Sequence, residues 1–140
     1  MSFPRELVDR FMTIMRTGEM EALRAIAARD FAIELLPASV GHKAKTLDEI
    51  IAFLTPVFAG WPAGDKLKIE ITEYVESAGG EKATAHARTY DTVGPKNVPY
   101  ENEYMFIFTF VDEGGQKKVS HIKEFCDSSQ LDKYLKAQAA

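Results

Sequence analysis

Apolar residues recur along this chain with two different periods, and the change from one to the other organises it. In the first third they return every three or four positions. Leu7, Phe11, Ile14 and Met15 fall on one side of a helix, with Val8 and Met12 widening the stripe. Ser2 can cap that helix, Pro4 is tolerated in its first turn, and Gly18 can end it. A shorter helix is predicted where Met20, Leu23 and Ile26 recur at three-residue steps. Phe31, Ile33 and Leu35 then alternate with Ala32 and Glu34, a strand stopped by Pro37. Thr46-Leu47-Asp48-Glu49 is a capping-box sequence, in which a hydroxyl and a carboxylate each satisfy an amide left unpaired by the first helical turn. The helix it opens buries Ile50, Ile51, Phe53, Leu54 and Phe58. Pro56, which has no amide hydrogen, is expected to end or kink it.

From Lys66 the period becomes two. Leu67, Ile69 and Ile71 alternate with Lys68, Glu70 and Thr72, which gives a strand with one dry and one wet face. Gly79-Gly80 reads as a hairpin turn before a strand from about Lys82 to Tyr90. A loop through Pro95 and Pro99 leads into a strand from Tyr100 to Val111. Gly114-Gly115 turns the chain again, and Lys117 to Cys126 is the last strand. Ser128 can cap a closing helix with Leu131, Tyr134 and Leu135 on its apolar side. No repeat, low-complexity tract or linker interrupts the pattern, so residues 1–140 read as one α+β domain. The strand from Tyr100 departs from simple alternation. Tyr104, Phe106, Phe108 and Phe110 share one face, and Met105, Ile107 and Val111 the other. A strand apolar on both faces is covered on both sides. The helices cover one face, and a second copy of the chain packed sheet to sheet is the expected cover for the other.

Composition narrows the function classes. With 140 residues, 46% hydrophobic and 27% charged, the chain can bury one core without disulfides or a metal. The net charge is -4 and no basic cluster is longer than Lys117-Lys118, which argues against a nucleic-acid partner. The N-terminal stretch mixes charges with apolar residues and lacks the unbroken run of a signal peptide. No apolar stretch approaches the roughly 18 residues that cross a bilayer, so no membrane partner is expected. The single cysteine, Cys126, cannot form an internal disulfide and fits a reducing compartment, the cytoplasm. His42, His86 and His121 stand singly, without the close His/Cys pairs of zinc sites, and no phosphate-binding or dinucleotide glycine motif is present. Neither a metal nor a cofactor is expected.

The order helix, helix, strand, capped helix and four long antiparallel strands resembles the NTF2-like (ketosteroid isomerase-like) cone fold, and within it the SnoaL-like branch. The residues that carry the likeness are Tyr100-Glu101-Asn102-Glu103-Tyr104 with its aromatic run, and Ile122-Lys123-Glu124-Phe125-Cys126-Asp127-Ser128. The segment Gly41-His42-Lys43-Ala44-Lys45-Thr46, following a Leu-Pro strand end, belongs with them. The resemblance covers nearly the whole chain. It implies a curved, mixed or antiparallel sheet whose N-terminal helices close a pocket, and a homodimer through the sheet's outer face. Its members include isomerases, cyclases, dehydratases and binders without chemistry, so fold alone does not choose among them. Ketosteroid isomerase places a base after the first strand and a tyrosine on the first helix. Here that strand ends Leu36-Pro37-Ala38-Ser39 and the first helix has no tyrosine, which counts against the same residues doing the same reaction.

Cyclases of the SnoaL kind look to an acid low in the sheet, and the resemblance makes Glu124 and Asp127 the candidates. A carboxyl serves there when an apolar pocket lifts its pKa toward neutrality. The structural alternatives are that Asp127 or Ser128 caps the last helix and that Glu124 pairs with a cation such as Arg88. Thr84, His86, Arg88 and Tyr90 share one strand face, opposite Ala83, Ala85 and Ala87. That polar face can line the pocket, where His86 joins the acids as a catalytic candidate and Arg88 and Tyr90 bind ligand. It can equally face solvent or a partner copy. His121 lies opposite Glu124 if alternation is strict, and a bulge would change this. Asn102, Tyr104, Phe106 and Phe53 are candidate pocket walls, against the alternative that they are core or satisfy the backbone. The expected function is binding of a small, largely apolar or polyketide-like molecule, with cofactor-free isomerisation, cyclisation or dehydration. The alternative is a non-catalytic ligand-binding or dimeric protein-interaction module.

Overall fold

The computed structural model describes residues 2–140. Helix α1 spans Phe3–Thr17. The Ser2 hydroxyl accepts from the Arg5 amide at its start, and Gly18, in the left-handed region at φ 75°, ends it by donating to Ile14 O. A 3-10 turn at Met20–Ala25 leads into strand β1, Ala27–Leu36, which is longer than the alternation of Phe31, Ile33 and Leu35 predicts. A two-residue strand β2, Lys45–Thr46, has no counterpart in the sequence pattern, because two residues show no period. Helix α2, Leu47–Ala59, begins on Thr46 with both capping-box bonds present. It does not end at Pro56 but runs one turn further. A proline removes only its own amide, and beside it the Thr55 hydroxyl donates to Ile51 O at 2.6 Å.

Strands β3 (Ile69–Glu76), β4 (Lys82–Thr89), β5 (Glu103–Glu113) and β6 (Gln116–Cys126) follow, and helix α3 (Ser128–Ala139) closes the chain. The six strands form one mixed sheet in the order β2-β1-β6-β5-β4-β3. Every neighbouring pair is antiparallel except β1 and β6. The sheet is curved and does not close, and helices pack on its inner face. Among the described residues no helix is long and apolar enough to cross a membrane.

Two bulges decide which residues look inward. In β6 the register with β5 passes from Thr109↔His121 to Phe110↔Val119, which leaves Ser120 unpaired. Past that point alternation is regular, so His121 and Lys123 point outward while Ile122, Glu124 and Cys126 point inward. In β3 the register skips Thr72, and the inward set changes from Ile69 and Ile71 to Tyr74. The core lies between this inner face and α1. Phe11 is fully buried, with its ring edge-on to Phe106 and to Phe108 at 5.7 Å each. Ala83, Ala85 and Ala87 are buried beside them, their small side chains leaving room for the phenylalanines of β5.

Candidate functional site

Glu124 sits on the inner face of β6, with Phe106 of β5 opposite on one side and Leu35 of β1 on the other. It lines a pocket between the sheet and the helices. The apolar walls come from Phe11 and Met15 of α1, from Leu23, and from Ile50, Phe53 and Leu54 of α2. Ile33 and Leu35 complete the floor, and His42, Lys43 and Lys45 stand on the side of the loop before α2. The empty space, counted to its open mouth, is about 540 Å³. Only about 80 Å³ of it lies clear of the walls by the radius of a water molecule, smaller than the usual small-molecule site of roughly 300–1,000 Å³. No cation pairs with Glu124 among the described residues. Burial among these side chains pushes its pKa up from 4.5 to about 7. A carboxyl in that state can both give and take a proton near neutral pH.

Next to Glu124 lies a buried polar cluster. The Tyr104 and Tyr100 hydroxyls are 2.6 Å apart, and Asn102 Nδ2 donates to Tyr100 Oη at 2.9 Å. Asn102 Oδ1 in turn accepts the amides of Glu103 at 2.7 Å and Asp127 at 2.9 Å. Both ends of the Asn102 amide are therefore fixed, and so is the Tyr100 hydroxyl. Tyr104 stacks on Phe106 with ring centres 5.3 Å apart. Burial pushes both phenols up, and the negative charge of Glu124 adds to the effect on each. Cys126 rises to about 11, from burial first and then from the charges of Glu124 and Asp127, so its thiol stays protonated. The interior thus holds protonated O–H and S–H groups around one titratable acid.

The other sequence candidates separate. Phe53 does line the pocket, while Asn102, Tyr104 and Phe106 are buried beside it without forming its wall. Asp127 does not join Glu124. It is exposed and caps α3, where the Ser129 hydroxyl and the amides of Ser129 and Gln130 hold its carboxyl below the usual range. The cap is Asp127 rather than Ser128, because Ser128 is already the first helical residue.

His86, Arg88 and Tyr90 turn away from the pocket, since β4 places its alanine face inward. His86 Nε2 contacts Glu103, and its Nδ1 lies 2.9 Å from Thr72 Oγ1. Arg88 pairs with Glu70 at 2.6 Å, not with Glu124. Arg88, Tyr90, Asn102 and Asp127 border a separate open depression at the end of β4. His42, Lys43 and Lys45 line the pocket without having been expected there, and Glu34 borders it although its carboxylate turns to His121 on the outer face. The signal for the first three is a run of basic residues directly before a capping box. Among the described residues no group of three or more His, Cys, Asp or Glu is placed to hold a metal ion.

Comparison with known proteins agrees with this architecture. The chain is similar to the monooxygenase PtaG of Pestalotiopsis fici, with 24% identity over 137 residues, covering 97% of this chain and 90% of the relative. Its fold is similar to that of the crystal structure of the BvnE pinacolase from Penicillium brevicompactum, with a TM-score of 0.81, 21% identity and 96% of each chain covered. It also resembles PrhC from Penicillium brasilianum, with a TM-score of 0.77 and 22% identity over 97% of this chain and 87% of that one. The SnoaL-like domain model matches residues 8–119, which take in α1, the pocket walls of α2 and the sheet as far as the bulge in β6. With that span matched, the chain belongs to the SnoaL-like domain family.

Proposed function

We propose that the chain takes a small, largely apolar molecule into the pocket at Glu124 and moves a proton on it, in an isomerisation, cyclisation or dehydration that needs no cofactor. The observation that carries this reading is one unpaired carboxyl set in apolar walls. Protonated, it donates to a carbonyl or hydroxyl of the bound molecule. Ionised, it withdraws a proton from carbon or oxygen. The similar proteins carry the names pinacolase and monooxygenase, and two such different names leave the type of reaction to be found by assay. Carboxyl-carbon NMR titration tests the reading without a substrate. A Glu124 midpoint near neutrality supports it, and one at or below the ordinary value of about 4.3 removes the acid and leaves a ligand-binding module.

A second observation favours self-association. Met105 and Phe125 are directly paired across β5 and β6 on the outer face, 41% and 38% exposed, with Ile107 beside them. Among the described residues no helix covers that strip. We propose that a second copy does, forming a homodimer through the sheet, the arrangement a protein-interaction module would also use. Sedimentation at micromolar concentration should give twice the chain mass, and Met105→Lys with Phe125→Lys should halve it. A wild-type monomer of 15.6 kDa would sink this reading. The lone Cys126 suits a reducing compartment such as the cytoplasm.

A further inference from the structure

The pocket has two chemically different ends. At the sheet end Glu124 is enclosed by apolar side chains. At the other end, His42, Lys43 and Lys45 line the same space from a loop where His42 and Lys43 are exposed, which puts them at the mouth. Their placement is built rather than incidental. Lys45 is held to the sheet by pairing with Ile33, and its ammonium stands 4.8 Å over the centre of the Phe53 ring. His42 meets the same ring edge-on at 6.0 Å. One aromatic residue of α2 therefore organises the rim.

The acids around this rim all have other partners. Asp48 pairs with Arg24 at 2.8 Å, the Glu49 carboxylate accepts the Thr46 amide at 2.9 Å in the capping box, and Glu34 contacts His121 at 2.6 Å. Among the described residues neither Lys43 nor Lys45 is in an ion pair. A chain of net charge -4 thus presents two ammonium groups outside any ion pair at the opening of its apolar pocket, with Glu49 near enough to feel the charge of Lys45.

We infer that the molecule this pocket takes is an amphipathic anion, its apolar body between α2 and the sheet and its carboxylate or similar oxyanion held at the mouth by Lys43 and Lys45. This rests on the ligand-pocket reading above and adds the class of ligand. The head group fixes which end enters first. The reacting carbonyl or hydroxyl then lies at the far end of the body, within reach of Glu124, while the anion stays in the higher-dielectric rim where its own desolvation is small.

Naphthoate and its uncharged isostere naphthamide are the probes, titrated into the full chain and followed by backbone amide NMR shifts. Naphthoate should bind about fivefold more tightly, the scale expected of two exposed charge contacts, and added salt should weaken naphthoate alone. Lys43→Gln with Lys45→Gln, both at accessible positions, should erase the preference between the two probes. Lys43→Gln alone, on an exposed side chain, repeats the test in part if the double variant folds poorly. Equal affinity of the two probes for the wild type overturns the inference but leaves the pocket reading standing. A preference that survives the double substitution also overturns it, since the anion is then read elsewhere. If neither probe shifts the amides of residues 50–54 and 122–126, the pocket reading falls and takes the inference with it.

Discussion

The two faces of the sheet hold the same residue type in opposite circumstances. On the outer face Glu103 contacts His86, Glu34 contacts His121 at 2.6 Å and Glu70 contacts Arg88 at 2.6 Å. All three acids are partnered and in part exposed to water, where an ion pair contributes little. On the inner face Glu124 has apolar neighbours and no cation, and burial lifts it to about 7. What sets Glu124 apart from these three acids is the partner it lacks. The same contrast governs packing. Phe106 is fully buried between Tyr104 and Phe108, while Met105, one residue away, is 41% exposed.

The largest expected effect tests the packing half of this contrast. Phe106→Ala should cost about 3–5 kcal/mol, whereas Met105→Ala should cost under about 1 kcal/mol in the monomer. Denaturant unfolding of the two variants measures both, and equal losses would break the comparison. The next effect concerns Glu124. Unfolded, the acid releases its proton near 4.5, and folded it holds it to about 7. Between those values the native state binds the extra proton, so stability falls as pH rises and stays reduced above about 7. The full penalty is roughly 3 kcal/mol. Glu124→Gln should therefore be more stable than wild type at about pH 8, by up to that amount, and no more stable at about pH 4. Urea midpoints at the two pH values would decide, and an identical pH slope in both proteins would mean that the acid is not desolvated.

Smaller effects sharpen the same picture. Thr46→Ala removes the cap of the helix that carries Ile50, Phe53 and Leu54, and should lower stability by about 1 kcal/mol. An unchanged unfolding midpoint would show that the pocket wall does not depend on that cap. Glu103→Gln on the outer face should cost less than about 1 kcal/mol. A loss above about 2 kcal/mol would mean that the outer pairs behave as buried ones.

Much of the fold was legible because its periods are long. Eleven residues of β5 and fifteen of α1 repeat their patterns often enough to be read. Ser2, Gly18 and the Thr46 capping box mark their helix ends by side-chain chemistry alone. The site was only partly legible. Glu124 emerged from its place near the end of the last strand in a family resemblance, not from any property of its neighbours in sequence. Asp127, three residues on, shared that argument and has a different job, because the strand ends between them and a carboxylate there meets free helix amides. For β4, parity groups His86, Arg88 and Tyr90 correctly but is silent on which face is inward. That depends on the phenylalanines of β5, which leave room only for the alanines. The rim residues His42, Lys43 and Lys45 escaped assignment because so short and irregular a segment has no period, and the meeting of His42 and Lys45 with Phe53 depends on how α2 folds back over the sheet.

The pairing of β1 with β6 also sets the order in which this protein becomes whole. These strands lie side by side through Ala32↔His121 to Leu36↔Phe125, although about ninety residues separate them in the chain. Until β6 exists, β1 has only the two-residue β2 as a neighbour. On the ribosome, β3, β4 and β5 can zip as adjacent hairpins while β1 waits with an open edge, since contacts so distant in sequence form late. Ile33 and Leu35 stand on the early strand and Glu124 on the last one. The cavity is therefore among the final parts of the molecule to be assembled, and a chain interrupted before Gln116 would leave the synthetic machinery with a sticky, half-built sheet and no acid.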